Sequence, residues 1–186
     1  PEYVESVWWS LSEIWKKGLL VQDHRVAPYC PRCGTGLSDH ELAQGYETVV
    51  DPSVYVRFPI TSGDLAELGA SLLVWTTTPW TLVSNTAVAA HPDVDYVAVR
   101  ATVENDGAKT SEVLVVAEAL LSAVGGEHEI LKRFKGSELE RTTYKRPFDY
   151  IEIPDSHFVV LATYVTTEDG SGLVHQAPAF GADDLQ

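Results

Sequence analysis

Three consecutive hydroxyl side chains interrupt an apolar stretch of this sequence, SLLVWTTTPWTLVSNTAVAAHP at residues 71–92. Thr76, Thr77 and Thr78 follow four apolar residues of the kind found in a buried strand. In an extended chain Thr76 and Thr78 point to one face, and Pro79 cannot continue a central strand. We therefore expect the strand to leave its sheet here and to present hydroxyls and backbone N–H groups at the rim. The alternative explanation is the high strand propensity of threonine, with local hydroxyl–backbone hydrogen bonds.

A second stretch with polar side chains is GSGLVHQAPAFGADD at residues 170–184. It places His175 in an apolar run and Asp183 and Asp184 after a glycine-bounded turn. A histidine and an aspartate on either side of such a turn can form the rim of a polar pocket. The alternatives are a buried structural histidine and an Asp183 that N-caps a final helix. Because no Gly-x-Ser-x-Gly motif is present, the sequence does not predict a serine hydrolase.

Cys30 and Cys33 stand in a Cys-Pro-Arg-Cys-Gly motif, the spacing of a knuckle that supplies two thiolates to zinc. A structural zinc site takes four ligands, and His24, Asp39 and His40 lack a convincing spacing for the other two. We therefore predict half of a split zinc site, with its other half further along a longer protein. A redox-active dithiol is the alternative, although the strand–helix–strand context of thioredoxin-like proteins is missing.

Composition and charge limit the classes of function. The 186 residues, 45% of them hydrophobic, fit one folded domain with appendages. No apolar run approaches the roughly 20 residues that cross a bilayer, no signal peptide is recognisable, and two cysteines suggest a reducing compartment, so we expect a cytoplasmic protein. The net charge of −14 argues against a general nucleic-acid binder. Since the chain starts with proline and has no methionine, we expect a fragment of a longer protein.

The basic residues are unevenly distributed. Six of the thirteen lie in one short segment: Lys132, Arg133, Lys135, Arg141, Lys145 and Arg146. They could form a solvated face or a local contact for a polyanion, and composition does not decide between the two.

The elements that must position the polar side chains are mostly strands. Residues 3–19 predict an amphipathic helix that ends at Gly18 and carries three tryptophans, and we expect its apolar stripe to dock against another element. After residue 45 the predicted strands are GYETVVD, SVYVRFPI, ASLLVWTTT, NTAVAAHP, DYVAVRATV and SEVLVVAEAL. An Asp106-Gly107 turn joins the last two, and AEALLSAVGG predicts a short helix that ends at Gly125. This pattern predicts an α+β, mainly β fold: a β-barrel-like domain with peripheral helices.

Taken together, these stretches resemble the editing domain of isoleucyl-tRNA synthetases, the connective-polypeptide insertion of this class I family. WTTTPWTLVSNTAVAAHP and DGSGLVHQAPAFGADD resemble its two signature stretches, YCPRCGT the cysteine knuckle at its root, and YVESVWWSLSEIWKKGLL the helix that leads into it. The related valyl and leucyl enzymes usually carry Thr-Thr-Arg-Pro, whereas this chain has Thr78 before the proline, which favours the isoleucyl branch. Val83 departs from the family, which often has proline there, and this bears on the placement of Asn85.

The resemblance implies a division of the chain and a function. Residues 1–44 would be the entry helix and the knuckle, and residues 45–186 the editing barrel. This barrel would hydrolyse the ester of misacylated Val-tRNA(Ile), with valyl-adenylate as a second candidate substrate. Such a second sieve is needed because one methylene is worth only about 1–3 kcal/mol in a hydrophobic pocket, a magnitude known from isoleucyl-tRNA synthetase itself.

The resemblance also implies roles for the site residues. Asp184 would pair with the α-ammonium of the attached amino acid, and His175 would be the wall that excludes isoleucine. The three threonines would line the pocket and hold the terminal adenosine or the hydrolytic water. Trp75 and Trp80 would shape the rim, and Asn85 would support it by hydrogen bonding. An ester is already activated, so a positioned water with electrostatic support is sufficient and no covalent nucleophile is required.

The partners implied by the resemblance are the valine-carrying acceptor end of tRNA(Ile) and the remainder of the parent synthetase. The resemblance implies no association with a membrane. Editing itself would need no cofactor, and zinc could belong to the full-length parent. That parent would be an ATP-using ligase, but we find no phosphate-binding signature for aminoacylation in this chain. Two alternatives remain at this point: a module that binds the acceptor end without hydrolysing it, and a zinc-dependent structural domain built on Cys30 and Cys33.

Overall fold

The computed structural model describes residues 1–105 and 108–185, apart from the side chains of residues 103–105 and 108, and it contains two compact units, Pro1–Ser38 and Asp39–Gln186. The helices are α1 (Glu2–Lys16), α2 (Asp39–Ala43) and α3 (Gly63–Glu67), with 3-10 helices at Pro79–Ser84, Glu118–Ala123 and Gly136–Leu139. The strands are β1 (Tyr29–Cys30), β2 (Thr35–Gly36), β3 (Val54–Pro59), β4 (Ala70–Thr76), β5 (Ala87–Ala90), β6 (Asp95–Asn105), β7 (Ala108–Ala117), β8 (His128–Lys135), β9 (Phe158–Leu161) and β10 (Leu173–Gln176).

The first unit contains α1 and a small hairpin. The helix ends where predicted, because Gly18 adopts a φ of 68° that favours glycine and turns the chain away from the helix axis. No residue of α1 is buried, and Trp8 and Trp15 are 68% and 64% exposed. The antiparallel pair β1 and β2 brackets the cysteine knuckle.

The second unit is built on an eight-stranded sheet with the order β8-β6-β7-β4-β10-β5-β9, and β3 pairs with β4 in addition. On one side β4 pairs with β3. On the other side it pairs first with β7, through Ala70–Leu72, and then with β10, through Trp75. This branching curls the sheet into a partial barrel, and the prediction of a mainly β, barrel-like fold with peripheral helices is confirmed.

Both faces of the central strands β4, β6 and β7 are buried, which explains their continuous apolar runs. Along β4, Leu72 and Val74 pack into the larger core cluster, whereas Leu73 packs into a smaller cluster on the opposite face. Strands β6 and β7 alternate between the two clusters in the same way. The side chains that reach the smaller cluster are Leu73, Val97, Val99, Leu114 and Val116.

Some local predictions are wrong or lie outside the described residues. GYETVVD forms no strand: residues 46–53 have no regular structure, and Val50 is 97% exposed, because strand propensity needs a neighbouring strand to pair with. The predicted helix before Gly125 is instead a 3-10 helix with a non-helical residue, Leu120. Residues 182–185 form a turn, so Asp183 does not N-cap a helix there. Strands β6 and β7 pair as predicted, but residues 106–107 lie outside the described part of the chain.

Candidate active site

A cleft of about 370 Å³ opens where β4 and β10 end side by side. The two strands are parallel, with Val174 opposite Trp75, so the residues that follow each strand meet at the same edge of the sheet. The residues that line the cleft are Trp75, Thr76, Thr77, Thr78, Trp80, Thr81, Val174, His175, Ala177, Phe180, Gly181 and Asp184. It therefore brings together seven of the residues predicted from the sequence: Trp75, Thr76, Thr77, Thr78, Trp80, His175 and Asp184.

The threonines form a corner between β4 and the 3-10 helix Pro79–Ser84. The strand ends at Thr76, whose Oγ1 accepts a 3.1 Å hydrogen bond from the backbone N–H of Thr78. The hydroxyls of Thr76 and Thr78 lie 3.3 Å apart; Thr76 is buried, whereas Thr77 and Thr78 are exposed. Pro79 occupies the first helical turn, where its missing N–H is not needed. The strand leaves its sheet at this corner, as the sequence predicts, and the hydroxyls reach the cleft.

His175 is a buried member of the cleft wall, with 6% of its surface exposed. Its Nε2 lies 2.8 Å from the hydroxyl of Thr81, which itself donates a 2.8 Å hydrogen bond to the carbonyl of Thr78. Burial lowers the pKa of His175 below its usual value of 6.5, and the negative charge of Asp184 opposes this only in part. The imidazole is therefore neutral at pH 7 and is tied to the threonine corner.

Asp184 is held in a fixed position beside the end of β10. Its Oδ2 accepts a 2.8 Å hydrogen bond from the backbone N–H of Ala177. The chain passes so close at Gly181 that an added Cβ would lie 2.7 Å from the carboxylate carbon. Asp184 is half-buried and also borders an adjoining cavity of about 490 Å³, whereas Asp183 is exposed and borders that second cavity but not the cleft. A carboxylate held in this way is suited to bind a cation inside the cleft.

Aromatic side chains form the open rim. Trp80 is 63% exposed and Phe180 is 58% exposed, although both line the cleft. Trp75 also lines the cleft, and Gly170, with a φ of +77°, packs so closely on its indole that an added Cβ would lie 2.7 Å from the ring. Exposed aromatic faces beside a polar cleft are surfaces on which a nucleobase can stack.

Asn85 is not among the residues that line the cleft. Its Nδ2 donates to the carbonyl of Ala87 at 2.8 Å, and its Oδ1 accepts a 2.7 Å hydrogen bond from Tyr144. Since Asn85 also ends the 3-10 helix Pro79–Ser84, it supports the threonine corner from behind and offers no free polar atom to a ligand.

Sequence reasoning missed Thr81, Phe180 and Gly181. The signal for Thr81 is its position three residues after Thr78 in a turn that a proline starts, a spacing at which a threonine hydroxyl returns to the backbone. Gly181 and Phe180 had no comparable signal, because their contribution depends on how the last turn folds back against β10.

The cysteine knuckle belongs to the first unit. The backbone N–H of Cys33 donates to the Sγ of Cys30 at 3.3 Å, and this interaction, with the neighbouring Cys33 thiol, lowers the pKa of Cys30. A low thiol pKa favours the thiolate that metals bind. Among the described residues, however, no group of three or more His, Cys, Asp or Glu side chains is placed to hold a metal ion. The knuckle thus fits half of a zinc ligand set.

Most of the basic segment is compensated locally by carboxylates. The ion pairs are Lys132–Asp64, Arg133–Glu118, Lys135–Asp95, Arg141–Asp155 and Arg146–Asp149. A cation that already faces a carboxylate contributes little to phosphate binding, so these pairs favour the solvated face over the polyanion contact.

Among the described residues, no helix is long and apolar enough to cross a membrane. No family model matches the chain. Isoleucine–tRNA ligases from Streptomyces coelicolor and Thermobifida fusca are each 70% identical to it over 100% of its length. The enzyme from Thermus thermophilus is 50% identical, again over the whole chain. The chain belongs to the isoleucine–tRNA ligase family. It spans 17% of the length of these three relatives.

Solved structures of similar fold are editing domains of a related synthetase. The structure named GlLeuRS-CP1 has a TM-score of 0.57 and 21% identity, and the match covers 72% of this chain and 57% of the other. The editing domain of cytosolic leucyl-tRNA synthetase from P. falciparum also has a TM-score of 0.57, with 11% identity, over 72% of this chain and 63% of the other. At these identities the likeness establishes the fold, which this chain of the isoleucine–tRNA ligase family shares with editing domains.

Proposed function

We propose that this chain is an editing hydrolase that cleaves the ester bond of valine misattached to tRNA(Ile). The observation that carries the proposal is the cleft in which the three threonines, His175 and Asp184 meet, although the sequence separates the threonines from the other two by about a hundred residues. Family membership and the editing-domain fold support the same conclusion.

Asp184 provides the contact that recognises an amino acid. Its Oδ2 accepts a hydrogen bond from Ala177, which leaves the other carboxylate oxygen for an α-ammonium group. A charge-assisted contact of this kind is roughly twice as strong as a neutral one, so it distinguishes an aminoacyl ester from an unrelated ester. Asp183 is exposed and does not line the cleft, which makes it a matched control.

His175 provides the size limit. Its buried imidazole forms part of the wall of the cleft, together with apolar residues that include Val174 and Ala177. A rigid wall excludes the larger isoleucyl side chain more strongly than an open pocket can favour the smaller valyl one, because interiors resist overpacking.

The threonine corner and the aromatic rim hold the remaining parts of the substrate. The hydroxyls of Thr76 and Thr78 offer both donors and acceptors to a water or to the ribose of the terminal adenosine. Trp80 and Phe180 offer exposed faces to a base. A water positioned beside an activated ester, with N–H and O–H donors near the developing oxyanion, is sufficient for hydrolysis.

The rest of the parent ligase supplies what this chain lacks. With a net charge of −14 and a largely compensated basic segment, the chain alone has little to hold a whole tRNA, so the parent would deliver the acceptor end in the cytoplasm. Valyl-adenylate is a second substrate that the same cleft could accept. ATP-dependent aminoacylation would belong to the parent outside this chain.

A zinc ion would be structural and would belong to the parent. Cys30 and Cys33 would supply two thiolates, and two further ligands would come from outside this chain. Editing in the cleft would need no cofactor, because an ester is already activated and a positioned water with electrostatic support is sufficient.

The proposal is tested by deacylation of Val-tRNA(Ile), with Ile-tRNA(Ile) as the correct substrate, using the whole chain at high concentration and low salt. We expect release of valine that spares isoleucine. Asp184→Asn should abolish this release, because an asparagine can still accept from Ala177 but carries no charge for the ammonium. Asp183→Asn, one residue away and outside the cleft, should keep it.

Two outcomes would contradict the proposal. Equal release of valine and isoleucine would show that the cleft has no size limit. Equal loss of release in both aspartate variants would show that Asp184 makes no specific contact with the ammonium. If the folded chain releases neither amino acid, a small valyl ester of adenosine replaces the tRNA. Binding of this ester without turnover would favour the alternative, a module that binds the acceptor end without hydrolysing it.

A further inference from the structure

The hydrogen bonds around Thr81 determine which proton His175 carries. A threonine hydroxyl has one hydrogen to donate, and the hydroxyl of Thr81 donates it to the carbonyl of Thr78 at 2.8 Å. The same hydroxyl oxygen lies 2.8 Å from Nε2 of His175. While its hydrogen serves the bond to Thr78, the oxygen can only accept, so Nε2 is the donor in this arrangement.

The arrangement in which Thr81 donates to Nε2 has at least one hydrogen bond fewer. If Thr81 donated to Nε2, the carbonyl of Thr78 would lose this donor and the ring proton would move to Nδ1. The Nδ1 atom of His175 is buried and has no hydrogen-bond partner among the described residues. A proton there would be a buried donor without an acceptor, and the Thr78 carbonyl would have lost the hydroxyl of Thr81 as a donor.

A doubly protonated His175 ring is less stable still. It would carry the same unpaired N–H on Nδ1, now with a positive charge in a side chain that is 6% exposed. Asp184 is the charged group that favours the protonated ring, and its effect is smaller than that of burial. The lowered pKa of His175 agrees with a neutral ring.

We propose that Thr81 is a positioning residue that locks His175 in the Nε2–H tautomer, so that His175 acts as a fixed neutral wall and not as a general base. The inference rests on the proposed function, in which this wall excludes isoleucine. A general base needs an accessible lone pair, yet the Nε2 position is occupied by a proton shared with Thr81 and Nδ1 is sealed from solvent. Thr81 keeps the ring from rotating, and the fixed ring in turn keeps the width of the pocket constant.

The test reads the tautomer directly. The whole chain, with nitrogen-15 in its histidines, is studied by ¹⁵N–¹H correlation spectra of the ring nitrogens at neutral pH, and the His175 signals are those that disappear in His175→Gln. We expect the Nε2–H pattern in the native chain and in Thr81→Ser, which keeps the hydroxyl. Thr81→Val, similar in shape but without the hydroxyl, should lose the single pattern.

The same variants are compared in deacylation. In Thr81→Val the preference for Val-tRNA(Ile) over Ile-tRNA(Ile) should fall by roughly 3–10-fold, the factor that corresponds to one hydrogen bond. Thr81→Ser should restore it, and Thr61→Val, at an exposed threonine pair outside the cleft, is the matched control that should not change it.

An Nδ1–H pattern or a doubly protonated pattern in the native chain would overturn the inference. So would a Thr81→Val variant that keeps the native tautomer, or one that keeps the native preference for Val-tRNA(Ile). If Thr81→Val does not fold, the spectra of the native chain and of Thr81→Ser still decide the tautomer. If no protein deacylates either substrate, the proposed function fails while the spectra decide this inference separately.

Discussion

The hydroxyl of Tyr144 donates a 2.7 Å hydrogen bond to Oδ1 of Asn85, and the two residues are 4% and 1% exposed. Asn85 ends the 3-10 helix that carries Thr81, while Tyr144 packs against Phe58 in the core with ring centroids 5.1 Å apart. The pair thus connects the back of the threonine corner to the core of the barrel.

Removal of this hydroxyl should destabilise the chain. Tyr144→Phe leaves the buried Oδ1 of Asn85 without its donor, at a cost of about 1–3 kcal/mol in the free energy of unfolding. The measurement is urea denaturation, monitored by tryptophan fluorescence. Tyr150→Phe, at a residue that is 77% exposed, is the control and should leave the midpoint unchanged. Equal midpoints for the two variants would show that the hydrogen bond does not contribute.

Stability should fall when the pH drops below about 6.5. Burial lowers the pKa of His175 and of His157 below the usual 6.5, with the charge of Arg146 as a further cause for His157. In this window the unfolded chain binds protons that the folded chain does not, so stability is complete above pH 6.5 and decreases until the folded-state pKa values are passed. Unfolding free energies between pH 7.5 and 5.5 measure the slope. His175→Gln should reduce it, and an identical slope in this variant would contradict the prediction.

Gly170 should not tolerate a side chain. Its φ of +77° disfavours L-residues, and an added Cβ would lie 2.7 Å from the indole of Trp75. Gly125, with a φ of +69° and nothing within 4 Å, shares the first cost without the second. We expect Gly125→Ala to destabilise by about 1 kcal/mol and Gly170→Ala by a further 1–3 kcal/mol or so through overpacking, with reduced deacylation as Trp75 shifts. Thermal denaturation of the two variants checks this, and equal losses would show that the contact with Trp75 is unimportant.

The chain should retain less than one zinc ion. Two thiolates, Cys30 and Cys33, bind zinc far more weakly than a set of four ligands. The measurement is metal analysis after loading with zinc and exhaustive dialysis, and Cys30→Ser should remove what little remains. A full equivalent of zinc that survives dialysis would show that further ligands lie within this chain.

Local features of this protein could be predicted from the sequence because local forces produce them. The helix near the N-terminus ends at Gly18 through the conformational freedom of that residue. The strand before the threonines ends because Pro79 cannot donate to a ladder. GYETVVD has the same strand propensity as these segments but no neighbouring strand, so propensity alone failed there.

The candidate site was predictable as a set of residues and not as an arrangement. The signature stretches indicated Thr76, His175 and Asp184 by resemblance. Only the structure shows that Thr81 contacts His175 and that Asn85 does not line the cleft. Thr81 and His175 are 94 positions apart, and the parallel register of Val174 opposite Trp75 is what brings them together.

The sequence by itself determined which chemical groups this protein possesses: hydroxyls beside a proline, an imidazole in an apolar run, and a carboxylate after a turn. The tertiary structure decided which of them meet and in which protonation state. The physical reason is that strand pairing and burial are long-range: they align two strand ends at one edge of the sheet, withdraw water from His175, and leave the hydroxyl of Thr81 as the partner of its Nε2.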